Sequence, residues 1–350
     1  MTTSIDVPTP DDWHVHLRDG SMLAAVVAHT ARRYRYALVM PNLRPPVTST
    51  SAAIAYRDRV LAHAPADAGD FRPVIALYLN DDLDPADLAA AKDSGVVPAV
   101  KYYPAGATTN SDQASGTLAD FLPVLEQLAE VGLRLCVHAE STDPAVDLFD
   151  REAVFLEREL APVCERLPEL AVTVEHVSTR AGVAFTEAHP QVAATITPHH
   201  LACDRGDLLA DGLRPDLYCK PVVNSPDDRR ALVAAATGDS PKFCLGTDSA
   251  PHPTTAKYGP KGAAGVFNAP YGLEVAAEVF RVAGRLDRLA AFVSTNGCAI
   301  YGVEPSDTRL TLTHTEADTA PPETLTTADG DEVVMFGVDE ARQWTVAPGA

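Results

Sequence analysis

The feature that most constrains the fold of this chain is an alternation repeated eight times: a short β-rich apolar run, a turn, then an Ala/Leu-rich stretch. Residues 13–17, 36–40, 73–79, 97–102, 133–138, 171–177, 192–197 and 243–246 read as strands. Residues 22–33, 51–64, 85–94, 118–131, 152–166, 180–188 and 227–236 read as the helices between them, with another around 273–282. Several open on N-cap residues, such as Thr179 before Arg180 and Ser225 before Pro226. Strands alternating with helices imply a parallel sheet, and eight strands close a TIM (β/α)8 barrel. An open doubly wound sheet would carry a glycine-rich phosphate loop after its first strand, and Arg18-Asp19-Gly20-Ser21 is no such loop. The expected fold is therefore α/β, with the barrel over residues 1–305. A short β-containing extension, residues 306–350, would pack on it around Ala320-Pro321-Pro322.

A formal charge of −20 argues against nucleic acid or an anionic membrane surface as partner, since both reward basic patches. An anionic small molecule stays open, because screening confines charge effects to about 10 Å at 0.1 M salt. Such a ligand needs its own arginine or histidine clamp. The six cysteines include no C-x-x-C, so reduced, buried thiols in a cytoplasmic protein are expected. Residues 1–12 lack the basic start and apolar run of a signal peptide, and no run approaches the roughly 18 apolar residues of a membrane span.

In a TIM barrel the chemistry sits at the C-terminal ends of the strands. Here strand after strand ends in a ligand-type side chain: His14 and His16, Lys101, His138, His176 and Asp248. Each alone has an ordinary explanation. His14 and His16, two apart on a strand, share a face and can grip one ion, yet H-x-H also arises by chance. Lys101 closes an apolar strand, where a buried ammonium must be paired, neutral or modified. It could also snorkel from the strand end, or take up CO2 and become a bidentate anionic ligand. His138 and His176 could be satisfied core histidines, and Asp248 a loop cap. Together the six surround one mouth. His29, His63, His189 and His314 fall on helices, helix ends or the tail. His199 and His200 end the seventh strand without an assignable role.

The segments Asp11-Asp12-Trp13-His14-Val15-His16-Leu17-Arg18-Asp19-Gly20, Val39-Met40-Pro41-Asn42-Leu43 and Lys101-Tyr102-Tyr103-Pro104 resemble the dihydroorotases, in their shorter bacterial PyrC-type (class II) form within the amidohydrolase superfamily. So do Val137-His138-Ala139-Glu140, Glu175-His176-Val177-Ser178-Thr179 and Leu245-Gly246-Thr247-Asp248-Ser249-Ala250-Pro251-His252. The likeness runs collinearly from about residue 10 to residue 301. It implies two zinc ions: one on His14, His16 and Asp248, the other on His138 and His176, bridged by N6-carboxylated Lys101. The implied reaction is the reversible closure of N-carbamoyl-L-aspartate to L-dihydroorotate plus water, in pyrimidine biosynthesis. Asp248 would shuttle the proton as catalytic residue. Arg18, Asn42 and His252 would clamp the substrate carboxylate, with His138 and the backbone at Lys220 and Ala264 adding contacts. Thr108 and Thr109, in a small polar loop, would close over the substrate as a lid. A homodimer is implied as well.

One departure stands out: Lys220 occupies a position where the family leads us to expect leucine. Three rival readings fit the sequence less well. A hydantoinase or allantoinase would carry a strand-rich domain before its H-x-H, and only 13 residues precede His14. A silent homologue should have lost ligands, and a deaminase-like barrel would need no bridging lysine.

Overall fold

The computed structural model describes residues 3–210, 212–315 and 320–349. The chain opens with β1 (Thr3–Pro8) and then lays down β2 (Asp12–Val15), β3 (Tyr36–Val39), β4 (Arg72–Ile75), β5 (Leu77–Tyr78) and β6 (Ala99–Tyr102). It continues with β7 (Arg134–Val137), β8 (Val172–Val174), β9 (Val192–Ile196) and β10 (Phe243–Leu245). β2, β3 and β4 pair in parallel, as do β5 through β10, each with its chain neighbour.

Two seams join these sheets into the TIM barrel. The first lies where residues 73–79, expected as one strand, divide at Ala76. Its N–H bonds to the Val39 carbonyl at 3.0 Å, while Ile75 N–H and Leu79 N–H reach the Val96 and Lys101 carbonyls, both at 2.9 Å. One strand path thus serves both sheets. At the second seam, Asp248 N–H donates to the His14 carbonyl at 2.8 Å and His16 N–H to the Ser249 carbonyl at 3.0 Å. Asp12 lies beneath, taking Thr247 N–H (2.8 Å), the Thr247 hydroxyl (2.6 Å) and His14 N–H (3.2 Å) on its buried carboxylate.

Alternation sorts each strand into an inward and an outward set. Low in the barrel the inward positions are small or apolar, with Ala99, Cys136 and Cys244 in one buried cluster. Two or four residues on, the same face carries Lys101, His138 and Asp248. The outward set, including Val39, Ile75, Leu135, Val172 and Ile196, packs under the helices.

The caps read from sequence are present: Thr179 and Ser225 accept from Gly182 N–H and Asp228 N–H. Elsewhere the elements differ from expectation for local reasons. The strand expected over 171–177 stops at Val174, because His176 turns to φ 42°, in the left-handed region. The helix expected over 152–166 contains a π turn, Leu156–Leu160, just before Pro162, whose missing N–H interrupts the helical ladder.

The tail forms β11 (Arg309–His314), β12 (Thr324–Thr326), β13 (Glu332–Val334) and β14 (Trp344–Pro348). β12 and β13 pair as a hairpin, while β11 sits between β1 and β14 in an antiparallel sheet. The N-terminal strand, unread in the sequence, therefore completes the sheet of the C-terminal extension. Residues 316–319 and 350 of that extension lie outside the described residues. No helix among the described residues is long and apolar enough to cross a membrane.

Gly246 carries no side chain because none fits. A Cβ there would stand 2.7 Å from Thr195 Cβ and 2.9 Å from His14 Cβ. Gly246→Ala should therefore destabilise the fold by about 1–3 kcal/mol through overpacking, measured by urea denaturation. An unchanged midpoint would show that the seam is looser than drawn.

Candidate metal centre

Five strand ends deliver six side chains to one place. His14 Nε2 and His16 Nε2 lie 3.4 Å apart, and Asp248 Oδ1 is 3.3 Å from the first and 3.1 Å from the second. Across the mouth, His138 Nδ1 and His176 Nε2 face each other at 3.1 Å. Ligand atoms of His14, His176 and Asp248 all fall within 4.8 Å of one another, which links the two sets. The Lys101 amine is fully buried and has no hydrogen-bond partner among the described residues, with the Tyr103 ring centroid 5.1 Å away.

Imidazole nitrogens turned toward one another suit a cation between them. The opposite ring nitrogens explain why they turn inward. His14 Nδ1 is held by Glu175 Oε2 at 2.8 Å, His16 Nδ1 by Asn42 Oδ1 at 2.9 Å and His138 Nε2 by Glu140 Oε2 at 3.1 Å. Each outer partner fixes the ring and its tautomer, leaving the inner nitrogen's lone pair free. Glu175 is itself held by the Thr195 hydroxyl at 2.6 Å. Arg18, His176 and Asp248, at φ 61°, 42° and 44°, adopt a left-handed backbone that non-glycine residues seldom take, so the fold holds them in place.

Electrostatics favour the cation-binding form at five of the six side chains; at His14 burial, which lowers the pKa, is outweighed by Glu175 and Asp248, which raise it. Burial lowers the Lys101 pKa, only partly opposed by Glu175, which favours the neutral amine. Burial also lowers His16 to about 4, and lowers His138 and His176. Burial would raise Asp248, but His14 and the hydrogen bonds from His14 and His16 outweigh it, holding the carboxyl well below its ordinary range. The donor set of imidazoles, a carboxylate and a lysine able to become anionic fits a pair of zinc ions. The orphaned Lys101 amine is the sharpest sign of a missing partner, since a buried amine normally finds one.

Beside this cluster, Arg18, Asn42, Tyr103, Thr108, Thr109, Lys220, Ala264 and Gly265 line the same small cavity. Arg18 donates to His252 Nε2 at 3.0 Å and to the Pro251 carbonyl at 3.2 Å, placing the two clamp residues side by side. Burial and the neighbouring Arg18 keep His252 neutral, its pKa pushed down to about 2. Asn42 ties a ligand to the loop: its Oδ1 meets His16 and its Nδ2 donates to the Thr109 carbonyl at 2.9 Å. The Thr109 hydroxyl in turn reaches the Ala264 carbonyl at 3.5 Å. Of the site residues expected from sequence, all but Lys101 and His252 line this cavity; His252 lies against Arg18, and Lys101 is buried beneath Tyr103.

Sequence reasoning gave no role to Glu140, Glu175 or Tyr103, although each stands within a quoted motif. Spacing was the available signal. Glu140 follows His138 by two and Glu175 precedes His176 by one. Lys220 also differs from what its position suggested. Its side chain lines the cavity and its ammonium pairs with Glu140 Oε1 at 2.9 Å, with Arg151 3.6 Å from the same oxygen.

The model of the amidohydrolase family matches residues 7–306. A dihydroorotase of Synechococcus sp. (strain CC9605) is 48% identical over 348 residues, spanning 99% of this chain and 98% of that protein. Among solved structures, a dihydroorotase (pyrC) of Campylobacter jejuni superposes with TM-score 0.88 at 30% identity, covering 100% of this chain and 98% of its own. The dihydroorotase of Saccharomyces cerevisiae in complex with 5-fluoroorotic acid gives TM-score 0.89 at 29% identity, with 99% and 98% covered.

The Lys220–Glu140–His138 chain of contacts has a measurable consequence. Lys220→Leu should leave Glu140 short of a partner and loosen the His138 ring, weakening metal retention about tenfold in chelator competition. Equal metal retention in the variant and the parent would show that Arg151 alone suffices.

Proposed function

This chain belongs to the amidohydrolase family, and from that premise we propose that the mouth cluster is a two-zinc centre serving a dihydroorotase reaction. The activity is the reversible closure of N-carbamoyl-L-aspartate to L-dihydroorotate plus water, a step of pyrimidine biosynthesis. The observation that carries the two-zinc reading is the pair of inward-facing nitrogen sets, His14/His16 and His138/His176, with a partnerless buried lysine beside them.

In this reading His14, His16 and Asp248 would hold one ion and His138 and His176 the other, with Lys101, carboxylated on its amine, as the anionic ligand shared between them. When bound, the ions would supply an activated water and a polarised amide carbonyl. The chain's own residues do the rest. Asp248, kept ionised by its histidine neighbours, takes the proton of the attacking water and passes it to the departing ring nitrogen in the opening direction. In the closing direction it takes a proton from the carbamoyl nitrogen and returns it to the departing carboxylate oxygen, and a second proton from solvent completes the water. Arg18 offers a planar fork to the substrate carboxylate, with Asn42 and neutral His252 completing the clamp. Ala264 and Lys220 contribute backbone, and His138 adds a contact from the cavity wall. Thr108 and Thr109 close the mouth against water, held by Asn42 and the Ala264 carbonyl. We place the enzyme in the cytoplasm as a homodimer.

The test is turnover in both directions for the zinc-loaded parent and for Asp248→Asn, with metal content measured on each sample. The expected outcome is two zincs and activity in the parent, and at least about a 100-fold loss of turnover in the variant. A parent that holds two zincs yet acts on neither compound contradicts the reading.

A further inference from the structure

We propose that His199, His200 and Cys219 form a separate site for one borderline or soft cation, zinc being the chosen occupant. Among the described residues, two groups of histidine, cysteine or acidic side chains bring three ligand atoms within 4.8 Å of one another. One is His14, His176 and Asp248 of the centre described above, and the other is this one. His199 and His200 lie on the short helix Pro198–Ala202 that follows β9, while Cys219 precedes the cavity residue Lys220. All three are buried, and none belongs to the two-zinc ligand set.

The contacts favour a cation over a plain core cluster. His200 Nε2 and Cys219 Sγ both point their hydrogens at one acceptor, the Pro221 carbonyl, each at 3.1 Å. Two donors and a carbonyl at that spacing resemble the edge of a tetrahedral zinc site, where ligands sit about 3.3–3.8 Å apart. His200 Nδ1 has the Thr197 hydroxyl at 2.8 Å, the outer partner that a metal-binding imidazole needs. His199 Nδ1 faces the Asn268 amide nitrogen at 2.9 Å, and its buried Nε2 has no partner among the described residues. Asn268 Oδ1 is likewise partnerless. A proton moved from His199 Nε2 to Nδ1 gives both atoms something to do. Nε2 becomes a ligand, and Asn268, turning its amide and giving up its bond to the Thr247 carbonyl, accepts from Nδ1.

On binding, the Cys219 thiol loses one proton to solvent and its sulfur binds the ion. His200, like His199, moves its Nε2 proton to Nδ1, which then donates to the Thr197 hydroxyl, so both imidazoles stay neutral. Two nitrogens and a thiolate suit zinc, with the Pro221 carbonyl or a water as fourth ligand. Without metal, burial keeps this thiol protonated and therefore unreactive. An ion here would tie the short helix after β9 to the segment 219–221 at the cavity wall.

The proposed site is independent of the two-zinc reading, and cobalt separates the two. Cobalt(II) bound by a thiolate gives a sulfur-to-metal charge-transfer band in the near ultraviolet, and no cysteine belongs to the two-ion centre. The full chain loaded with cobalt should bind a third equivalent that develops this band and releases a proton. Cys219→Ser and His199→Gln should lose the third equivalent and the band, while keeping two ions and their turnover. Cys203→Ser should keep the band, which excludes the half-buried Cys203 as its source. A parent chain that stops at two ions without the band overturns the proposal, as does a Cys219→Ser chain that retains both.

Discussion

The hydrogen bonds joining β10 to β2 close the barrel and set metal-facing side chains against each other in the same stroke. Asp248 can approach His14 and His16 only because its own N–H is held by the His14 carbonyl while Ser249 receives the N–H of His16. The buried Asp12 carboxylate fixes this seam from below, and Gly246 allows the two strands to lie close enough for it to form. Barrel closure and ligand geometry are thus one constraint. A chain that failed to close here would lose its site along with its fold.

Outward from the seam, each layer limits the freedom of the one inside it. Thr195 holds Glu175, Glu175 holds His14, and His14 turns its remaining nitrogen inward. Asn42 does two jobs, anchoring His16 and gripping the loop that carries Thr108 and Thr109. The side chain of Asn42 alone thus separates the Thr108–Thr109 loop from His16, a proposed metal ligand. On the opposite wall, Lys220 and Arg151 supply positive charge to Glu140, which orients His138. In a chain of strongly negative net charge, such local cations decide what the mouth sees.

Much of this was legible from residues alone, because barrel strands advertise themselves and the inward alternation carries polar residues to the mouth. His14, Lys101, His138 and Asp248 each lie at a strand end that periodicity could place. Other features depend on partners far away in sequence. β1 reads as nothing until Arg309–His314 lies beside it. Glu175 looks like an ordinary strand carboxylate until Thr195 and His14 close around it. The break at Ala76 and the left-handed turn at His176 are imposed by neighbouring strands rather than by local propensity. Lys220, flagged only as an unexpected residue, acquires a meaning through Glu140, eighty positions earlier.

Lys101 bears the greatest weight, because it is a buried amine without a partner among imidazoles that face inward for a cation. Carbon-13 NMR of the zinc-loaded chain equilibrated with labelled bicarbonate tests this directly. One carbamate carbon per chain, absent from a Lys101→Arg variant, is the result predicted. Two tightly held zincs with no carbamate signal would contradict the account at its centre.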